Sequence, residues 1–153
     1  MDFANLFTRW LHVIAGIAWI GHLYFFNFVN ISLQKDLGDN AKLVNPHLMP
    51  RALWWFRMGA MVTFLTGLIL YTINYMHTPG VGFGPNELAR SSRNMWILMG
   101  MAFGTVMWFN VWFVIWPRQK AILSGAVTGD EAAKMKATAA LASRINTYSS
   151  GPM

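Results

Sequence analysis

Residues 10–33, WLHVIAGIAWIGHLYFFNFVNISL, run without a single Asp, Glu, Lys or Arg. A helix needs about 20 mostly apolar residues to cross the ~30 Å hydrocarbon core of a bilayer at ~1.5 Å per residue. This stretch therefore predicts a transmembrane helix, as do residues of about 53–76, where Arg57 stands one turn past the start and can snorkel to the first-loop face, and 95–116. Turn and breaker residues separate the three: Asp36 to Pro50, then Thr78 to Ser92, with Pro117 just beyond the last. Trp10, Trp54, Trp55, Trp96, Trp112 and Trp116 fall near the span ends, where interfacial aromatics belong. The first span is too long for a signal-peptide core and lacks a basic leader. The expected fold is all-α and integral to a membrane, with three transmembrane helices in residues 1–117. Residues 118–153 form a cytoplasmic tail, in which Thr128-x-x-Glu131 reads as a capping box opening a helix over about 130–146. Its weak apolar face, Met135, Ala139, Ala142 and Ile145, is expected to lie on a partner or the membrane surface, not in a core.

Composition agrees. The 153 residues are 55% hydrophobic and 12% charged, about half the charge an ordinary soluble domain carries, and too apolar for a disordered chain. There is no cysteine, which excludes disulfides, thiolate metal sites and cysteine nucleophiles. The net charge of +6 is a topology signal. Lys35, Lys42, Arg51, Arg118, Lys120, Lys134, Lys136 and Arg144 lie in the first loop and the tail, against Arg9, Arg90 and Arg93 on the opposite side. That asymmetry predicts an N-terminus outside and a cytoplasmic C-terminus. It leaves no basic patch for a nucleic acid.

At 100° per residue, Arg9, His12, Gly16, Trp19, Leu23, Asn27 and Asn30 share one stripe of the first span. Gly59, Thr63, Thr66, Gly67, Leu70, Asn74 and His77 share one face of the second. Such faces are expected to meet protein or a cofactor, with Asn27 and Asn30 packing against a neighbouring helix. In an antiparallel pair His12 and His77 come to similar depth, and two facing imidazoles can ligate a b-type haem. Gly16 would leave room for the porphyrin edge, and Trp19 lies on the same stripe. The bland alternative is two interfacial histidines that cap backbone or meet water. Should His77 fail as a ligand, His22 or a histidine from a partner must serve. His22 is otherwise expected to hydrogen-bond between helices, with a ligand shared with a neighbouring chain as the alternative, and His47 to be solvated. Gly100-x-x-x-Gly104 is a helix-packing spacing. Met95-x-x-x-Met99 offers soft thioethers, but no Met-rich outer domain accompanies it to suggest copper uptake. With six acids and none in a span, carboxylate-based proton transfer is not expected.

The stretch from Arg9 to Gly21, RWLHVIAGIAWIG, resembles the opening helix of the bacterial membrane-bound urate oxidase family. So do Trp108 to Pro117, WFNVWFVIWP, and Ser143 to Tyr148, SRINTY, with the later Pro152-Met153. Members of that family join a multi-span membrane domain to a cytochrome c. The resemblance implies a bacterial inner-membrane, electron-transfer setting and makes His12 the position to carry over. The chain has no Cys-x-x-Cys-His and so attaches no haem c itself. It is therefore not expected to be an enzyme in isolation. The leading expectation is a small membrane subunit of a respiratory or other redox complex, able to hold a b-type haem through His12 and packed against other membrane subunits or copies of itself, and lipid. One alternative is a purely structural subunit without cofactor. The other is a membrane fragment of a urate-oxidising enzyme.

Overall fold

A computed structural model describes residues 3–153. Helix α1 (Phe3–Tyr24) passes through a π-helical turn at Phe25–Val29 into α2 (Asn30–Leu37). Gly38, at φ +52° and ψ −123°, breaks this run in a conformation that disfavours any side chain. The chain then reverses into α3 (Ala41–Tyr75). The two arms form an antiparallel hairpin, closed beside the turn by a reciprocal amide pair. Gln34 Nε2 donates to Asn45 Oδ1 at 2.9 Å, and Asn45 Nδ2 donates back to Gln34 Oε1 at 2.9 Å. Asn30 supports the pair by accepting from Gln34 at 3.1 Å. The broken expectation here is the loop: Pro46 and Pro50 lie inside α3, not in a linker. They are the sixth and tenth residues of α3, past its first turn, and each removes one main-chain donor from the ladder ahead of the buried stretch that begins at Ala52 and Leu53.

After α3 the strands β1 (His77–Thr78) and β2 (Gly82–Phe83) make a minimal antiparallel hairpin. Asn86 closes the end of α3, its amide donating to Asn74 O at 2.9 Å and to His77 O at 3.3 Å. Helix α4 (Ser92–Phe109) runs through a second π turn, Asn110–Ile115, into α5 (Trp116–Leu123). Pro117 does not end this helix. It falls at the start of α5, immediately after the π turn has already shifted the hydrogen-bond ladder, where a missing N–H is tolerated. The stretches Phe3–Tyr75, folded back at Gly38, and Ser92–Leu123 are long and apolar enough to cross a membrane.

The tail is the larger correction. Helix α6 (Gly129–Ser149) forms where expected, although Thr128 makes no side-chain capping bond. It does not lie apart from the bundle. Ala139, Ala142 and Asn146 are buried, and Ala142 joins Trp19, Leu23, Phe56, Ala60, Met107, Val111 and Ile115 in the central cluster. The expected apolar face is only partly used, since Ile145 is exposed. The chain's last residue reaches back to the third helix. A Cβ on Gly100 would lie 3.0 Å from Met153 O, and one on Gly104 would lie 3.5 Å from Met153 Sδ. The small-residue spacing of Gly100 and Gly104 therefore receives a segment of the same chain.

Candidate functional site

The polar stripes of α1 and α3 face each other along the hairpin. At the end remote from Gly38, Arg9 donates to Asn5 Oδ1 at 3.2 Å and Asn5 Nδ2 donates to Asn74 Oδ1 at 2.9 Å. Further along, the closest approach of the two backbones is at Gly59, where a Cβ would stand 3.0 Å from Trp19 N and 3.2 Å from Ala15 O. Between these points sits His12. Its Nδ1 lies 3.0 Å from Thr66 Oγ1. The Thr66 hydroxyl donates to Val62 O at 2.6 Å, so toward the imidazole it can only accept. In that arrangement Nδ1 is the donor toward Thr66. The His12 ring lies over Gly67, whose missing side chain makes room for it: a Cβ there would come within 3.2 Å of His12 Cε1.

The expected partner of His12 is elsewhere. At its depth on α3 stand Thr66 and Gly67, while His77 follows eleven residues after Thr66 and beyond the helix end at Tyr75. It sits in β1 with its ring edge-on to Phe83 at 5.4 Å. At ~1.5 Å per residue, a helical offset of that length exceeds ~10 Å, so the two imidazoles are not brought onto one iron. The helix stops short because Thr78-Pro79-Gly80 cannot continue it. Nor is the space beside Gly16 free for a porphyrin edge. A Cβ on Gly16 would already touch Thr63 at 3.9 Å, and Trp19, 1% exposed, belongs to the core. A haem clasped between α1 and α3 does not fit these residues. Gly16 and Trp19 serve helix contact, and His12 is the single imidazole of the seam.

His22 does not bridge helices. Its Nδ1 donates to Ala18 O, one turn back, at 2.7 Å, and the ring lines an open groove of about 500 Å³ with Ile17, Gly21, Phe25, Arg51 and Trp55. His47 is exposed as expected, but on α3. Among the described residues no group of three or more His, Cys, Asp or Glu side chains is placed to hold a metal ion.

A second polar seam was not foreseen, and it joins the two π turns to α6. Asn27, in the first π turn, donates to Ser143 Oγ at 2.7 Å, and the hydroxyls of Tyr24 and Ser150 are 3.0 Å apart. Asn110, opening the second π turn, donates to Asn146 Oδ1 at 2.8 Å, and Asn146 Nδ2 donates to Met107 O at 3.0 Å. Asn146 is fully buried. A π turn leaves main-chain groups without their regular i−4 partners, and side chains from a neighbouring helix are natural replacements. Asn27 thus packs as expected, but through a hydroxyl on α6. The polar residues Asn110, Ser143 and Asn146 lie within the stretches already singled out by resemblance, which was the one signal that could have found them.

What this geometry defines is a bundle of apolar helices stapled by two internal polar seams. Residues 1–43 match the family model described as Urate oxidase N-terminal, a span that covers α1, the first π turn, α2 and the Gly38 reversal. No curated protein and no solved structure matches the chain.

Proposed function

We propose that the chain is an integral membrane subunit of a redox assembly, one that contributes helices and docking surface while the electron-carrying groups reside on its partners. The observation that carries this reading is the urate oxidase N-terminal match over residues 1–43. Its helices suit a bilayer. Phe3, Trp10, Val13 and Ile17 along α1, and Met95, Trp96, Val106 and Phe113 along the third helix, are more than half exposed. Apolar surface on that scale asks for lipid or protein cover. The polar groups are meanwhile spent inward, as a low-dielectric surrounding requires. The excess of basic residues at the end bearing Gly38 and Pro117 favours a cytoplasmic position for it, with the N-terminus outside a bacterial inner membrane. Helix α6 begins at that cytoplasmic end and climbs back along the bundle.

The test is extraction of the tagged chain from its native membranes in mild detergent, followed by a reduced-minus-oxidised spectrum of what accompanies it. A co-migrating cytochrome, lost when the chain is stripped from its partners, supports the proposal. A lone chain without chromophoric partners refutes it. The same family match favours a second reading, in which the assembly oxidises urate. Reduction of that cytochrome on adding urate separates this from other redox assemblies.

A further inference from the structure

Arg57 stands in α3 one turn inside the expected start of the second span, with its guanidinium carbon 3.8 Å from the centroid of the Trp116 ring and 5.1 Å from that of Trp112. Cation–π contact of this kind orients a guanidinium without neutralising it. Among the described residues no acceptor meets any of its donors. The ion pairs there are Lys42–Asp39 and Arg90–Glu87, both on exposed turns. Arg57 Nε and the neighbouring Trp112 Nε1 are both buried donors without a partner. An arginine held against two indoles, at the edge of an apolar bundle and without a carboxylate, lacks one component: an anion.

We infer that Arg57, with Trp112 and Trp116, forms a site for the phosphate of an anionic glycerophospholipid in the leaflet at the Gly38 end. The inference rests on the membrane reading above. Depth favours a lipid over other anions. Trp54 and Trp55, about half exposed on the same turns of α3, mark the boundary between headgroups and acyl chains, and the phosphate layer lies there. Charge favours it as well: Arg118, two residues beyond Trp116, adds a second cation to the same end of the third helix. The planar fork of arginine matches two phosphate oxygens at once. Trp116 closes one face of the guanidinium, so the phosphate approaches its edge.

The test uses the full chain reconstituted in nanodiscs of phosphatidylcholine with and without phosphatidylglycerol, with retained lipid counted by native mass spectrometry. In a third arm inorganic phosphate is added to detergent-solubilised protein. The wild type should retain phosphatidylglycerol in preference to phosphatidylcholine. Arg57→Gln, with helicity checked by circular dichroism, should lose about tenfold of that preference, the scale of a charge-assisted hydrogen bond. Equal retention of the two lipids by the wild type overturns the inference, whether or not the variant folds. Undiminished preference in a folded Arg57→Gln also overturns it, as does saturation by inorganic phosphate without lipid preference. Failure of the chain to enter nanodiscs at all would instead refute the membrane reading beneath it.

Discussion

His12 and Thr66 are joined across the α1–α3 hairpin by a 3.0 Å hydrogen bond whose direction is fixed by the second bond from Thr66 to Val62 O. The consequence is a single imidazole tautomer, protonated on Nδ1. Nitrogen-15 chemical shifts of His12 should report it directly. Thr66→Val removes the acceptor while nearly preserving shape, and should release the ring to a mixture of tautomers. The stability cost should be about 1 kcal/mol, the net worth of one such bond. Thr66→Ser, which keeps the hydroxyl, should restore the wild-type spectrum.

Gly59 and Gly67 should respond differently to alanine although both lie on the same face. At Gly59 the added methyl meets main-chain atoms of Trp19 and Ala15, which cannot swing aside. Gly59→Ala should cost about 1–3 kcal/mol by overpacking, measured by thermal or denaturant unfolding in detergent. At Gly67 it meets the His12 ring, which can shift by a few tenths of an ångström. Gly67→Ala should therefore be the milder substitution, and its signature should be a changed His12 environment.

Asn146 should be the main anchor of α6. Removing its side chain leaves the Asn110 amide and Met107 O without their partner in the core. Asn146→Ala should destabilise by about 1–3 kcal/mol. It should also expose the connection at Ser124 to Thr128 to proteolysis, with release of the α6 fragment. A double-mutant cycle with Asn110→Ala should show coupling between the two sites of at least ~0.5 kcal/mol.

Gly100→Leu should evict the end of the chain from the third helix, because the new side chain would occupy the place of Met153 O. The Met153 methyl signal in a carbon-13 spectrum should move toward its free position, while the α1–α3 seam, followed through His12, stays unchanged. Gly104→Leu should act in the same direction more weakly, since its neighbour is the flexible end of Met153.

The apolar runs and the two polar stripes were legible in the sequence, since helical periodicity fixes which residues share a face. Their pairing was not, because periodicity says nothing of the axial register of a hairpin: His12 meets Thr66 and Asn5 meets Asn74, which leaves His77 far from His12. The end of α3 was equally hidden, since Thr78-Pro79-Gly80 and the Asn86 cap mark it. The prolines misled in the opposite direction: Pro117 falls at the start of α5, where a helix tolerates it, and α3 continues through Pro46 and Pro50 despite the donors they remove. Helix α6 escaped because it docks through Ala139, Ala142, Ser143 and Asn146, small and polar residues that carry little apolar signal. The π turns each change the hydrogen-bond ladder locally, so Asn27 and Asn110 cannot be aimed by a fixed 100° step. The internal pairing of the His12 stripe explains why a histidine stands in apolar α1, with Gly59 and Gly67 facing it on α3, without requiring a haem.

The proposed membrane reading puts the Gly38 turn on one side of the bilayer and the β1–β2 hairpin on the other. The natural sequence contains no cysteine, so single introduced thiols report sidedness cleanly. Asp39→Cys and Val81→Cys, at opposite ends of the hairpin formed by α1 and α3, should both be recovered in carbonate-washed membranes. In intact cells a membrane-impermeant maleimide should modify Val81→Cys and spare Asp39→Cys until the membrane is opened. Modification of both thiols from outside, or recovery of the chain in the soluble fraction, would contradict it.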